Sequence, residues 1–220
     1  MLPLLTSNVL FATRLLDAAV RSGVQWVVNT GTAWQHYEGR EYSPVNLYAA
    51  TKQAFEALAQ YYVEAYGLRF LTLALGDTYG PGDTRSKLLN LWSRIAKTGT
   101  PLDMSAGLQK IDLVYITDVV EAFKCAVEQF QLVNWTEETM PTFRVSTGES
   151  LSLRELATVF EEVTGAALPI RWGTRPQRLR EVMIPWEGAL PVLPGWQPKV
   201  PLRMGLARLW ESTQNPIKEL

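Results

Sequence analysis

The sequence predicts an α/β fold built on a parallel sheet, and three observations carry that prediction. Residues 25–29 (Gln-Trp-Val-Val-Asn) and 70–75 are short apolar runs bounded by turn residues, the pattern of strands covered on both faces. Each run follows a longer stretch, 7–22 and 46–66, that reads as a helix. Each run is also followed by a polar, glycine-containing segment, 30–34 and 76–83. In open α/β sheets that end of the strand is where ligands bind.

In chain order, residues 7–22 form the first predicted helix. Val9, Leu10, Ala12, Leu15, Leu16 and Ala19 recur at helical spacing, Ser7 or Asn8 is placed to cap it, and Gly23 to end it. The strand at 25–29 leads into Thr30-Gly31-Thr32-Ala33-Trp34, a polar loop follows at 40–44, and a helix runs over 46–66. After the strand at 70–75 a loop is expected at 76–83, a helix at 87–97 and a break at 98–101. A short strand follows at 111–116. Asp118 is placed as the cap of a helix reaching Phe130, with Val119, Val120, Phe123, Ala126 and Val127 inward. A polar connector at 131–141 precedes a strand at 142–146. Ser152 and Glu155 form a capping box for a helix ending at Gly165. A small strand at 170–172, a basic patch at 175–180 and a last helix over 201–210 complete the chain.

Composition narrows the function. The 220 residues suffice for one large or two small domains. A net charge of -1 gives no general attraction to nucleic acid or anionic membrane. Cys125 is the only cysteine and His36 the only histidine, which leaves no disulfide framework and no His-rich metal site. Cys125, on an inward helix face, reads as a small buried hydrophobe, and the eight tryptophans mostly as core. No apolar run reaches 18 residues, so the cytoplasm is the expected compartment.

The chemistry centres on Tyr48 and Lys52, four residues apart at the head of the helix over 46–66. That spacing places both side chains on one helix face. A neighbouring ammonium favours the phenolate, which makes a tyrosine usable as a proton donor and acceptor near neutral pH.

Several segments in the same order resemble the extended short-chain dehydrogenase/reductases, in their nucleotide-sugar epimerase/dehydratase branch. They are Asn8-Val9 opening a helix, a strand ending in hydroxyl residues, Tyr48 with Lys52, and Tyr79-Gly80-Pro81. Asp112-Leu113-Val114-Tyr115-Ile116-Thr117-Asp118-Val119, Phe143-Arg144-Val145-Ser146-Thr147-Gly148 and the stretch from Leu193 to Lys199 continue the series. The resemblance implies the C-terminal part of a Rossmann-like parallel sheet over 1–80, and a small α/β substrate-binding domain over 81–220. Residues 109–130 return to the Rossmann-like part.

The resemblance further implies Tyr48 as catalytic acid/base and Lys52 as the residue that lowers its pKa and bonds the ribose of NAD or NADP. Thr32, or Thr30 if the register differs, is the hydroxyl orienting the reacting oxygen. Asn8 joins the local polar network, Asp77 touches substrate, and Arg175 with Arg178 or Arg180 faces the nucleotide diphosphate, a task suited to the guanidinium fork. A homodimer through helices 7–22 and 46–66 is also implied.

Two positions depart from the family pattern: Ile111 stands where many members carry Arg, and Asp77 where many carry Asn. Ala33-Trp34 after Thr32 replaces the Asp-Glu common in the dehydratases, which favours epimerisation or, more, reduction of a 4-keto-6-deoxy sugar nucleotide. The Gly-rich turn that cradles a dinucleotide pyrophosphate does not occur at the start of the sequence. The expectation is therefore a longer enzyme of which on the order of 80–100 residues precede this stretch at typical element lengths. One half of a split enzyme, and a truncated non-catalytic fragment or regulatory binding protein on the same scaffold, are the alternatives.

Overall fold

In the computed structural model the described residues are 1–130, 140–185 and 190–214. The first helix starts earlier than its capping pattern predicts. α1 (Leu2–Leu5) passes into a π-helical turn, Thr6–Phe11, and then into α2 (Ala12–Arg21). Pro3 in the first turn explains the start: its missing N–H has no intrahelical partner there and its φ is preset. Ser7 and Asn8 consequently lie inside the helix rather than capping it. Ser7 Oγ donates to the Pro3 carbonyl at 2.9 Å, and Asn8 Nδ2 donates to Thr51 Oγ1 at 2.9 Å.

β1 (Trp26–Thr32) extends past the apolar run, so Thr30, Gly31 and Thr32 belong to the strand instead of following it. α3 (Leu47–Tyr66) is capped by Asn46, whose side chain accepts from the Ala49 N–H, and closes at Gly67 in the left-handed region. β2 (Arg69–Leu75) then pairs parallel with β1, from Trp26 opposite Arg69 to Thr32 opposite Leu75.

The segment expected as loop contains a strand, β3 (Asp77–Tyr79). α4 (Leu88–Thr98), β4 (Leu102–Met104), β5 (Lys110–Ile111), β6 (Leu113–Tyr115) and α5 (Ile116–Gln129) follow. The single strand expected at 111–116 is thus divided at Asp112, and α5 begins before Asp118. That residue sits in the first helical turn, where its Oδ2 accepts from the backbone N–H groups of Lys199 and Val200. Val119, Ala122 and Ala126 form the buried stripe of α5, while Val120 and Val127 are exposed. The apolar residues there outnumber the positions one stripe can cover. Cys125 is half-buried and donates its thiol to the Pro194 carbonyl at 3.2 Å, so it is no fully buried hydrophobe. The connector expected at 131–141 lies outside the described residues as far as 139.

β7 (Thr142–Val145), β8 (Leu151–Ser152), α6 (Leu153–Thr164), β9 (Ile170–Trp172) and α7 (Leu202–Gln214) complete the order. The capping box of α6 forms as expected: Ser152 Oγ accepts from the Glu155 N–H at 3.2 Å and Glu155 Oε2 from the Ser152 N–H at 2.8 Å.

The chain divides into two compact units. The first comprises Met1–Gly76, Val120–Ser146 and Trp186–Trp196. Its sheet has the order β1-β2-β7, all parallel, which matches the predicted fold class. Leu16, Phe55, Ala59, Tyr62, Val63, Leu68 and Phe70 pack α2 and α3 against the sheet. Trp26 stacks on Phe130 with ring centroids 5.4 Å apart, yet stays partly exposed, unlike buried Trp92 and Trp196.

The second unit comprises Asp77–Val119, Thr147–Pro185 and Gln197–Leu220. Among the described residues it holds three two-stranded pairs, β3 with β6, β4 with β9 and β5 with β8. Its core is aromatic: Trp92 meets Phe160 edge-on at 5.9 Å, Phe160 meets Trp210 at 6.0 Å, and Tyr79 meets Tyr115 at 5.4 Å.

Candidate active site

In the first unit, the head of α3 brings Tyr48 and Lys52 together. Asn46 fixes where the helix starts, so Tyr48 falls in its first turn and Lys52 one turn later on the same face. Tyr48 is 36% exposed, and Lys52 Nζ lies 6.0 Å from the centroid of its ring. The backbone of this turn is secured by Thr51, whose Oγ1 donates to the Tyr48 carbonyl at 2.8 Å while accepting from Asn8 in the π-helical turn. Burial holds the Lys52 ammonium below its usual lysine pKa, and the charge of Glu56 opposes that fall.

Thr32 closes β1. Its side chain caps the short 3-10 turn Ala33–Gln35 by accepting from the Trp34 N–H at 3.3 Å, and its own N–H donates to Gln35 Oε1 at 3.0 Å. A hydroxyl that accepts one bond still has its O–H to donate. Strand alternation puts Thr30 on the same face as Thr32, one step back from the strand end. Asn29 and Gly31 occupy the other face. His36, after this turn, bonds the Glu41 carbonyl through Nδ1 at 2.6 Å, and burial lowers its pKa.

Gln35, Asn29 and Glu56 form a polar cluster that sequence reading missed. Gln35 Nε2 donates to Glu56 Oε2 at 2.9 Å and to Gln53 Oε1 at 2.8 Å. Asn29 Nδ2 donates to Glu56 Oε1 and to Thr72 Oγ1, each at 3.2 Å. Burial raises the Glu56 carboxyl pKa, against the pull of Gln35, Lys52 and Asn29. The available signal was Glu56 at i+4 from Lys52, on the same helix face.

In the second unit, Asp77 begins β3. Burial raises its carboxyl to about 6; Lys87 and Arg178 pull it down and Asp112 pushes it up. Lys87 was not singled out from the sequence. Its Nζ donates to the Thr78 carbonyl at 3.3 Å and lies 3.8 Å from Asp83. Of the basic patch, it is Arg178 whose charge reaches Asp77. Arg175 is exposed, with its backbone N–H donating to the Met104 carbonyl at 3.2 Å. Arg180 is half-buried with a positive φ of 60°. Asp112 is structural: it accepts from the Thr147 N–H and hydroxyl and from the Gly148 N–H.

A model of the NAD dependent epimerase/dehydratase family matches residues 2–135. A CDP-abequose synthase of Salmonella muenchen is 30% identical over 178 residues, covering 80% of this chain and 58% of the relative. A UDP-glucose 4-epimerase of Mycolicibacterium smegmatis is 30% identical over 226 residues, covering 96% and 69% respectively. Among solved structures, a UDP-glucose 4-epimerase of Thermus thermophilus in complex with NAD is similar with a TM-score of 0.76 and 25% identity. That match covers 97% of this chain and 71% of the other. The chain thus spans less than two thirds of the first of these relatives and about 70% of the other two.

Proposed function

The chain belongs to the NAD dependent epimerase/dehydratase family, and from that membership we propose that it acts in an NAD(P)-dependent reduction or epimerisation of a nucleotide sugar. The observation that carries the reading is the partly exposed Tyr48 with Lys52 beside it at the start of a capped helix. An ammonium and a helix N-terminus both favour a phenolate, so Tyr48 exchanges a proton with the sugar's carbinol or keto oxygen. The Thr32 hydroxyl donates to that same oxygen, with Thr30 behind it. The cofactor, when bound, supplies or accepts the hydride. The donor set fits its nicotinamide side: the half-buried Lys52 has three N–H donors for ribose hydroxyls. Residues of the second unit, Asp77, Arg175 and Arg180 with Arg178 and Lys87, bind the nucleotide sugar, the arginines at its diphosphate.

Reduction of a 4-keto-6-deoxy sugar nucleotide is the reaction we favour. Ala33 and Trp34 after Thr32 provide no carboxylates for dehydration, and the relatives are named for CDP- and UDP-sugars. Among the described residues no helix is long and apolar enough to cross a membrane, and we place the protein in the cytoplasm. We also propose a homodimer, because the π-helical turn, α2 and α3 leave Leu10, Phe11, Leu15, Leu58, Tyr61 and Tyr66 exposed. Leu10 and Leu58 line an apolar groove there of about 370 Å³, and a second copy covers such a face.

The test is oxidation of NADH or NADPH by the purified chain with 4-keto-6-deoxy CDP- and UDP-sugars. Tyr48→Phe is expected to lower kcat about 10²–10⁴-fold with the circular dichroism spectrum unchanged. A folded chain whose rate survives Tyr48→Phe refutes the role of Tyr48. A folded chain with no turnover and no cofactor binding means that this stretch is not an enzyme by itself.

A further inference from the structure

We propose that Glu56 is the positioning residue of this site: its carboxylate holds Thr32 in place through Gln35 and faces the Lys52 ammonium from the next turn of α3. The inference rests on the roles proposed for Thr32 and Lys52.

The geometry runs in one direction of hydrogen bonding. Both Glu56 oxygens accept, Oε1 from Asn29 and Oε2 from Gln35. Because the Gln35 amide must point its NH2 at the carboxylate, its carbonyl oxygen turns to the other side, where it accepts from the Thr32 N–H. Thr32 then caps the Trp34 N–H. The capping box that ends β1 is therefore oriented from α3, by a group one turn beyond Lys52. Gln35, Asn29 and Thr32 are buried, so a wrongly turned amide has no water to satisfy it.

The glycine at position 31 makes the approach possible. A Cβ there stands 2.6 Å from Thr72 Cγ2 and 3.2 Å from Glu56 Oε1, closer than the strand and the carboxylate tolerate. Lys52 is the charged group set against Glu56; the side chains that bond it, Gln35 and Asn29, are neutral. The carboxylate thereby serves both halves of the proposed chemistry. It keeps the ammonium charged against its burial and fixes the strand end that carries Thr32.

Glu56→Gln tests this. A glutamine at 56 offers one acceptor where two donors converge. The glutamine oxygen accepts from Asn29, which also keeps Thr72 Oγ1, and its NH2 meets the Gln35 NH2, so Gln35 turns over and presents its NH2 to the Thr32 N–H. The interchange Gln35→Glu/Glu56→Gln restores an acceptor for Thr32 and a donor between the two side chains. The readouts are two NMR observables of the purified chain, taken with no substrate or cofactor. One is the exchange rate of the Thr32 amide proton. The other is the titration of the Lys52 13Cε resonance in lysine-labelled protein, assigned by its loss in Lys52→Arg.

Glu56→Gln is expected to speed Thr32 amide exchange at least about tenfold, the loss of one buried hydrogen bond, and to lower the Lys52 midpoint. The interchange is expected to return the Thr32 amide to the wild-type rate. An unchanged Thr32 amide, or an unchanged Lys52 midpoint, in Glu56→Gln overturns the proposal. So does an interchange variant that folds yet fails to restore Thr32. If Glu56→Gln does not fold, the interchange alone decides through the Thr32 amide. A chain without reductase activity leaves both readouts intact, so failure of the proposed reaction and failure of this inference are told apart.

Discussion

Replacing Asp77 by Asn stabilises the protein at alkaline pH and not at acid pH. Burial raises the Asp77 carboxyl from an ordinary 3.8 to about 6, the net result after Lys87 and Arg178 have pulled it down. The folded chain thus binds this proton more tightly than the unfolded chain. Between about pH 4 and 6 the folded state holds a proton that the unfolded state has released, so stability falls as pH rises through that window. A rise of about two pH units, at about 1.4 kcal/mol each, makes about 3 kcal/mol. Below the ordinary value both states carry the proton and this cost is absent; above the folded value it is complete. Asparagine matches the neutral carboxyl in shape and does not ionise. Asp77→Asn is therefore expected to match wild type at pH 4 and to exceed it by up to about 3 kcal/mol at pH 8. Urea unfolding of both proteins at the two pH values measures this, and contributions from other raised carboxyls, such as Glu56, cancel in the difference. Equal differences at pH 4 and pH 8, or a less stable variant at pH 8, refute the reasoning.

Gly31→Ala drives a methyl into Thr72 Cγ2 and is expected to cost about 1–3 kcal/mol. Thermal unfolding measures it, and Thr72→Ser, which removes that methyl, is expected to recover part of the loss. Leu15→Asp on the exposed face of α2 is expected to convert a dimer to a monomer in light scattering without changing the melting temperature by more than a few degrees. A wild-type chain that is monomeric at micromolar concentration removes the dimer proposal.

The elements that were legible in the sequence are those where one local rule dominates. Ser152 and Glu155 close a capping box, and Gly165 ends their helix in the left-handed region that other residues avoid. The apolar runs at 25–29 and 70–75 stood out as strands; β2 is buried along nearly its whole length, whereas β1 starts at exposed Trp26 and is buried toward its end. The errors fall where local rules compete. Ser7 and Asn8 look like caps, but Pro3 starts the helix earlier and a π-helical turn absorbs both. Asp118 looks like a cap, yet its carboxylate bonds a backbone distant in sequence, at Lys199 and Val200. β3 has only three residues, and pairing with β6 makes it a strand.

The sequence by itself determined the parallel α/β class and the placement of Tyr48 and Lys52 on one helix face, because helical spacing and strand patterning are local properties of the chain; the family was legible through the resemblance of its ordered motifs. Only the tertiary structure decided which polar groups meet. Glu56 reaches Asn29 and Gln35 across 27 and 21 residues, and Arg178 and Lys87 set their charges against Asp77. Burial and charge act through space, and their strength depends on distances and solvent exclusion that exist once the chain has folded.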